Sequence, residues 1–247
     1  AKVDETVAFL IFAALGASGT LILTSTRDIS QHRLHARGSL CLEASAALKL
    51  WPDPKLWLIS FTTIAFGFSS SWINGYVNGH WVPQAIGSRH VIGYLSAITA
   101  GTAAISSTIY AKISECVGSK SVVLLFGSIA FCCIATMSLL PMVGGEDPGR
   151  WHFAILAFPV CMGLGRGSYE GVNRSIFADF FLGEKAVGAF ANVMVQGTLA
   201  SAIGFVLGAA SYNTIQILLI VVISVLICPC HFAAMATMRT QIGQFRS

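Results

Sequence analysis

The chain has 247 residues, of which 55% are hydrophobic and only 11% are charged, with a formal net charge of +4. A mean hydropathy of +0.72 and long apolar runs exclude an ordinary soluble globular domain. The composition therefore predicts an integral membrane protein with the lipid bilayer as its first partner.

Seven apolar runs follow one another along the chain, each close to the ~20 residues that a helix needs to cross the hydrocarbon core. They predict an all-α integral membrane protein with seven transmembrane helices. The runs lie at about 7–26, 56–78, 90–111, 121–143, 152–172, 187–209 and 213–235.

Residues 27–55 form the only long polar connection between predicted spans. Its later part, 43–50, is rich in Ala and Leu and predicts a short helix. The two prolines after Trp51 prevent that helix from continuing into the second span. Trp51 and Trp57 are typical of an anchor at the membrane interface.

The distribution of Lys and Arg predicts the orientation of the chain, because cytoplasmic connections are enriched in both residues. Ten lie in one set of connections and three in the opposite set. The sequence thus predicts that the 27–55 connection and the C-terminus face the cytoplasm or its equivalent, with the organelle left open. The ten are Arg27, Arg33, Arg37, Lys49, Lys55, Lys112, Lys120, Lys185, Arg239 and Arg246, and the three are Lys2, Arg89 and Arg150.

Small residues recur every four positions in the third and sixth predicted spans, which predicts close helix packing there. The third span carries Gly93, Ala97 and Gly101 beside Ser96, Ala100, Ala104 and Thr108, and the sixth carries Ala200, Gly204 and Gly208.

The connection between the third and fourth spans contains a carboxylate between cations. Ala111, Ile113, Ser114, Glu115, Gly118 and Lys120 are spaced like the loop signature of the major facilitator superfamily, which this segment resembles. Cys116 and Ser119 stand where that family prefers arginine, so the charge network supplied by the loop is weakened.

Further motifs are similar to the uncoordinated-ninety-three-like branch of that superfamily over about residues 50–209. They are the segments 53–57, 66–68, 93–94, 173–181 and 189–192, in that order. The resemblance implies that 1–26 is the sixth helix of twelve and belongs to a missing N-terminal half. It further implies that 27–55 is the cytoplasmic linker between halves, and that 56–247 is the C-terminal six-helix bundle. A true half-length protein is the alternative.

Arg166, Glu170 and Arg174 are spaced four apart in the fifth span, so a helix places them on one face as an ion-pair ladder. Ionisable groups at membrane depth are costly unless they are paired or face water. Structural pairing is the favoured interpretation, and a substrate or gating role is the alternative. Glu170 is the single acid that could serve proton coupling.

Polar side chains also follow helical faces in two other spans. The corresponding helices of facilitator proteins border the central cavity, so we predict a solute site there, with helix-to-helix amide contacts as the stronger alternative. The candidate cavity residues are Ser70, Asn74, Asn78, Glu170, Asn192 and Gln196.

No residue pattern indicates catalysis, a cofactor or a metal. The sequence lacks a nucleophile elbow and a phosphate-binding glycine loop, and its histidines and seven cysteines are too scattered for a metal site or a disulfide framework. It also has no surface of interleaved basic and aromatic residues for nucleic acid. We therefore predict a protein that is not an enzyme.

Three functions remain. The resemblance implies a non-enzymatic membrane protein that binds, regulates or helps assemble other membrane proteins. The alternatives are a secondary transporter of a small solute, in which two halves rock about the cavity, and a half-length scaffold subunit of a larger membrane complex.

Overall fold

The computed structural model describes residues 47–88 and 90–244, and within these ranges the chain forms helices and turns but no strand. We number the α-helices in chain order. They are α1 (Pro54–Ile59), α2 (Phe61–Ser71), α3 (Val82–Ile86), α4 (Ile92–Val117), α5 (Ser121–Gly144), α6 (Ala157–Gly167), α7 (Arg174–Phe180), α8 (Glu184–Ala209) and α9 (Asn213–Gln244). Two π-helices, Trp72–Trp81 and Ser168–Asn173, join α2 to α3 and α6 to α7, and short 3₁₀ turns at Pro148–Arg150 and His152–Leu156 precede α6.

Helix α1 begins where the sequence predicts a break. Asp53 is its N-cap, and the carboxylate accepts a hydrogen bond from the backbone N–H of Lys55 at 3.0 Å. Pro54 occupies the first turn, where its missing N–H costs nothing. Residues 27–46, which include the first part of the predicted 43–50 helix, lie outside the described residues, and of its last four residues 47 and 48 are helical while 49 and 50 form a turn.

Among the described residues, four helices are long and apolar enough to cross a membrane: α4, α5, α8 and the Asn213–Met238 part of α9. They correspond to the third, fourth, sixth and seventh predicted spans and confirm the coarser prediction of a helical, multi-pass membrane protein. The first predicted span, 7–26, lies outside the described residues. The second and fifth are divided among shorter elements, so the seven-span architecture is not confirmed.

The π-helix at Trp72–Trp81 explains the division of the second predicted span. Its wider turns place the Trp72 and Tyr76 rings in a stack at 4.6 Å, with the His80 ring 4.8 Å beyond Tyr76. The indole N–H of Trp72, which is fully buried, donates to the Ser138 hydroxyl of α5 at 2.8 Å. π-Helical turns are rare and concentrate at functional sites.

Glycines bring three pairs of elements into close contact. A Cβ on Gly163 of α6 would lie 2.7 Å from the Thr99 carbonyl oxygen of α4. A Cβ on Gly67 of α2 would lie 2.6 Å from the Gly197 carbonyl oxygen of α8, and one on Gly127 of α5 would lie 2.6 Å from the Ser168 hydroxyl. These contacts join α6 to α4, α2 to α8, and α5 to the second π-helix.

The two predicted stripes of small residues behave differently. In α8, Ala200 and Gly204 are buried against α2, and Gly204 approaches Ser71 and Gln216, as predicted. In α4, by contrast, a Cβ on Gly93 or Gly101 would meet no atom within 4 Å. The prediction of close packing along this α4 stripe is therefore wrong within the described part of the chain, because α4 packs on α6 through another face.

The core lies among α2, α5, α6, α7 and α9 and is strongly aromatic. Its largest fully buried side chains include Trp72, Phe131, Phe158, Phe177 and Phe181. Large aromatic rings contribute a great deal of buried apolar area and dispersion contact. This core fixes the face of the bundle on which polar residues gather.

Candidate functional site

A cavity of about 120 Å³ lies between α2 with its following π-helix, α4 and α6. Polar side chains from all three elements reach it, and the apolar lining comes from core-facing residues. Its lining residues are Phe66, Ser70, Ile73, Asn74, Asn78, Leu95, Ser96, Thr99, Pro159, Met162 and Arg166.

Three of the predicted cavity residues form a polar row along one wall. The Asn74 amide donates to the Ser70 hydroxyl at 3.2 Å, and the Asn78 amide donates to the Asn74 carbonyl oxygen at 3.4 Å. Spacing by four residues places the three side chains on one helix face. The row leaves amide groups available to a ligand, since each amide has two donors and an acceptor.

The opposite wall carries a guanidinium group. Arg166 Nε lies 3.0 Å from Glu170 Oε1, and both side chains are more than a third exposed. Arg166 lines the cavity whereas Glu170 does not, so the acid is linked to the cavity through its ion pair with Arg166. The remaining guanidinium donors can bind a carboxylate, phosphate or amide oxygen.

The third member of the predicted ladder has a different partner. Arg174 forms no ion pair with any described residue, and its guanidinium carbon lies 5.5 Å from the centre of the Tyr169 ring. Tyr169 is itself stacked on Phe66 at 4.4 Å. In the π-helix at Ser168–Asn173 hydrogen bonds span five residues, so Tyr169 lies one turn before Arg174.

Asn192 and Gln196 lie apart from this cavity. Asn192 accepts a hydrogen bond from the Trp51 indole N–H at 2.7 Å and donates to the Ala47 carbonyl at 2.9 Å. The Gln196 side-chain oxygen accepts from the Ser60 hydroxyl at 2.6 Å. Both amides thus join α8 to the segment that precedes α2, which is the helix-to-helix alternative weighed for these residues.

The loop signature lies at the junction of α4 and α5. Ala111, Ser114 and Glu115 belong to the last turns of α4, and Gly118 ends that helix with φ of 67°, a left-handed conformation that favours glycine. Lys120 precedes α5, and its ammonium group pairs with the Asp179 carboxylate of α7.

Sequence reasoning missed two kinds of site residue. Ser96 and Thr99 line the cavity, but the sequence indicates only a packing role for Ser96 and none for Thr99. Residue spacing alone does not show which face of α4 contacts α6. Asp179 is 59 positions from Lys120, and no local pattern signals a pair so distant in sequence.

Comparison of this chain with protein-family models, with curated proteins and with solved structures gives no match. The resemblance to the major facilitator superfamily therefore depends on the motifs described above.

Proposed function

We propose that this protein is a non-enzymatic, multi-pass membrane protein that binds, regulates or helps assemble other membrane proteins. The exposed stripe of small residues on α4 carries the proposal. Only 17% of the spanning window of α4 is buried within the bundle, against 50% for α5. A membrane helix with so little of its surface covered has a large area free for a second membrane protein.

The stripe has the composition that helix contacts in membranes need. Gly93, Ala97, Gly101, Ala104 and Thr108 are all exposed on the same face of α4. In a bilayer the hydrophobic effect does not drive helices together, because lipid tails are as apolar as the side chains. Small side chains let two helix backbones approach closely, and the van der Waals contact between them then stabilises the pair. Lipid-facing positions of α5, by contrast, carry Leu125, Ile129 and Leu140.

Quantitative co-purification tests this proposal. Native chain and Gly101→Leu are purified in mild detergent, and companion proteins are measured by mass spectrometry. Thr136→Leu is the matched control, because Thr136 is an exposed residue of α5 whose hydroxyl bonds only to the Cys132 carbonyl of its own helix. We expect Gly101→Leu to lose a stoichiometric companion that the control retains. A native preparation with no stoichiometric membrane companion would contradict the proposal.

We further propose, on the motif resemblance, that residues 56–247 form the C-terminal six-helix bundle of a facilitator fold and that 27–55 is the linker before it. In that arrangement the exposed face of α4 would meet either the other half or, in a half-length scaffold subunit, another protein. Intact mass of the natively purified protein separates these cases: a mass near 26.2 kDa favours the scaffold, and a mass near twice that value favours the longer chain.

The polar cavity favours a second candidate function, transport of a small solute. The Ser70, Asn74 and Asn78 row faces a wall that includes Arg166, which suits a small molecule with a carboxylate or amide. Binding would be tested as a thermal shift with a panel of such solutes. Asn74→Leu should abolish a shift that Thr198→Val preserves, since Thr198 is exposed on α8 and bonds only within that helix.

Glu170 has a separate role in the transport hypothesis, because among the described residues it is the acid that pairs with Arg166 of the cavity wall. Once a solute is identified, Glu170→Gln should reduce uptake while Asn74-dependent binding persists. Unchanged uptake would remove the acid from the mechanism.

A further inference from the structure

A second cavity, of about 260 Å³, lies on the other side of the bundle between the first π-helix, α8 and the start of α9. We call it the α8–α9 groove. Its floor is made largely of residues without bulky side chains, and its walls are aromatic. The lining residues are Ser71, Gly75, Tyr76, His80, Gly204, Phe205, Gly208, Ala209 and Gln216. None of these residues is among the cavity residues expected from the sequence.

Gln216 presents an unused hydrogen-bond acceptor to this groove. The residue is 1% exposed, and its amide nitrogen donates to the Phe68 carbonyl at 3.3 Å and to the Ser71 hydroxyl at 3.0 Å. A backbone carbonyl only accepts, so the amide nitrogen, and not the oxygen, must face Phe68. The amide orientation is thereby fixed.

The amide oxygen of Gln216 consequently points the other way. A Cβ on Gly208, which lines the groove, would lie 3.7 Å from that oxygen. The oxygen has no hydrogen-bond partner among the described residues, and it is not sealed from the groove. Because this oxygen opens onto the groove, a hydrogen-bond donor that enters the groove can reach it.

The aromatic wall offers a complementary donor. The Tyr76 and His80 rings lie 4.8 Å apart and are tilted by 37° to each other, and the Tyr76 hydroxyl makes no hydrogen bond to a described residue. A hydroxyl group is a small ligand group that can donate to one partner and accept from another. The lining residues include no Lys, Arg, Asp or Glu, so an uncharged ligand fits the groove better than an anionic one.

The position of the groove in the bundle indicates a lipid. Ala209 ends one candidate span and Asn213 begins the next, so Gly208 and Gln216 lie close to one end of both spanning helices. That end corresponds to the membrane–water interface, where a lipid hydroxyl resides while its apolar part extends along the helices. Phe205 lines the groove with 49% of its surface still exposed, which provides an apolar surface for that part.

We propose that the α8–α9 groove binds the head of a neutral, hydroxyl-bearing lipid, with Gln216 accepting a hydrogen bond from the hydroxyl and Phe205 contacting the apolar body. The size of the groove agrees with partial insertion, because an apolar cavity of about 150 Å³ accommodates benzene. A sterol and a diacylglycerol share the required chemistry. This site is separate from the exposed α4 stripe and from the polar cavity.

Photo-crosslinking tests the proposal on the full chain in phosphatidylcholine nanodiscs. One arm uses a photoactivatable sterol and another a photoactivatable diacylglycerol, each with unlabelled lipid as competitor, and labelled peptides are identified by mass spectrometry. We expect saturable labelling of residues 205–216 by at least one probe. The arm that labels identifies the lipid class, and phosphatidylserine should not compete.

Gly208→Leu fills the groove while leaving both hydrogen bonds of the Gln216 nitrogen in place. Gly144→Leu is the matched control, since Gly144 is at the end of α5 and a Cβ there would meet no atom within 4 Å. Labelling should be lost in Gly208→Leu and unchanged in Gly144→Leu. Ala209→Phe, at an exposed position on the groove rim, provides a second occluding variant if Gly208→Leu fails to fold.

Three results would each overturn the proposal. They are labelling of 205–216 that persists in both occluding variants, labelling spread evenly over the exposed faces of α5 and α9, and equal competition by phosphatidylserine.

Discussion

The indole nitrogen of Trp51 donates a hydrogen bond to the side-chain oxygen of Asn192 at 2.7 Å, although the two residues are 141 positions apart. Asn192 is 1% exposed whereas Trp51 is 43% exposed. The partly exposed tryptophan side chain thus covers the buried amide of Asn192. Through this bond and that of Asn192 to the Ala47 carbonyl, the segment before α1 is attached to α8.

Replacement of Trp51 by Phe removes the donor and leaves the Asn192 oxygen without a protein partner. We expect the free energy of unfolding to fall by about 1–2 kcal/mol, since an unsatisfied buried acceptor costs more than the hydrogen bond is worth. Trp57→Phe is the control, because the Trp57 indole donates to the Trp51 carbonyl at an exposed site. Equal unfolding midpoints in detergent for both variants would contradict the assigned role of Asn192.

Gly163→Ala should destabilise the bundle and Gly101→Ala should not. A Cβ at Gly163 would lie 2.5 Å from the Thr102 Cβ and 2.7 Å from the Thr99 carbonyl oxygen, so α4 and α6 must separate. Overpacking of this kind costs about 1–3 kcal/mol. At Gly101 the added methyl meets no atom within 4 Å, and alanine favours a helix by about 0.5–1 kcal/mol. Thermal unfolding of the purified chain measures both variants, and equal losses would mean that the α4 stripe is covered.

Gly101 and Gly204 show which part of the fold can be predicted from the sequence. Hydropathy and length predict helices at α4, α5, α8 and α9, because those properties belong to each segment alone. The packing of a small-residue stripe depends on a neighbour elsewhere in the chain. Gly101 and Gly204 have the same local spacing, yet only Gly204 contacts another element, where it meets Ser71 and Gln216.

In the candidate site, too, local contacts could be predicted from the sequence and contacts between distant residues could not. The row from Ser70 to Asn78 follows from four-residue spacing, and so does the contact of Arg166 with Glu170. The π-turn that breaks the second predicted span depends on ring stacking and on the distant Ser138 hydroxyl. Partners so far apart in sequence leave no local pattern, so the helical face of Asn192 does not distinguish a cavity residue from an amide that joins two segments, which is its role with Trp51 and Ala47.

Cys116 provides a test of the predicted orientation. It is an exposed free thiol near the α4–α5 junction, on the side that positive residues assign to the cytoplasm. A membrane-impermeant maleimide should label Cys116 in inverted vesicles and leave it unlabelled in sealed right-side-out vesicles. Cys133 is an internal control, because it is exposed on α5 within the span, where lipid excludes a polar reagent.

Glu146→Cys completes this topology experiment, since Glu146 lies in the exposed connection after α5, at the opposite end of that helix. The introduced thiol should be labelled from the other side. Labelling of Cys116 and of the introduced cysteine from the same side would contradict a membrane-spanning α5.

The Lys120–Asp179 pair should contribute little to stability despite its place in the loop signature. The side chains are 33% and 55% exposed, and ion pairs in such positions contribute about 0–1 kcal/mol. A double-mutant cycle with Lys120→Ala and Asp179→Ala should give a coupling free energy in this range that decreases with added salt. A coupling well above it that resists salt would show that the pair is shielded from solvent by a partner.

Asn173 and Thr63 form the most deeply buried polar contact between α2 and the second π-helix. The Asn173 amide donates to the Thr63 hydroxyl at 3.0 Å, and the two residues are 1% and 0% exposed. Thr63→Val keeps the shape but removes the acceptor, and we expect a loss of between about 0.6 and 2 kcal/mol. Thr136→Val, at an exposed position of α5, should change the unfolding free energy by less than about 0.5 kcal/mol.

The predicted cytoplasmic position and the same burial both disfavour modification of the glycosylation sequon formed by Asn173, Arg174 and Ser175. An oligosaccharyltransferase needs the asparagine amide in an accessible segment, whereas this amide is enclosed and hydrogen-bonded to Thr63. Chain expressed in a eukaryotic cell should therefore migrate identically before and after amidase treatment. A shift in mobility that Asn173→Gln abolishes would mean that the sequon is accessible to the transferase before the bundle folds.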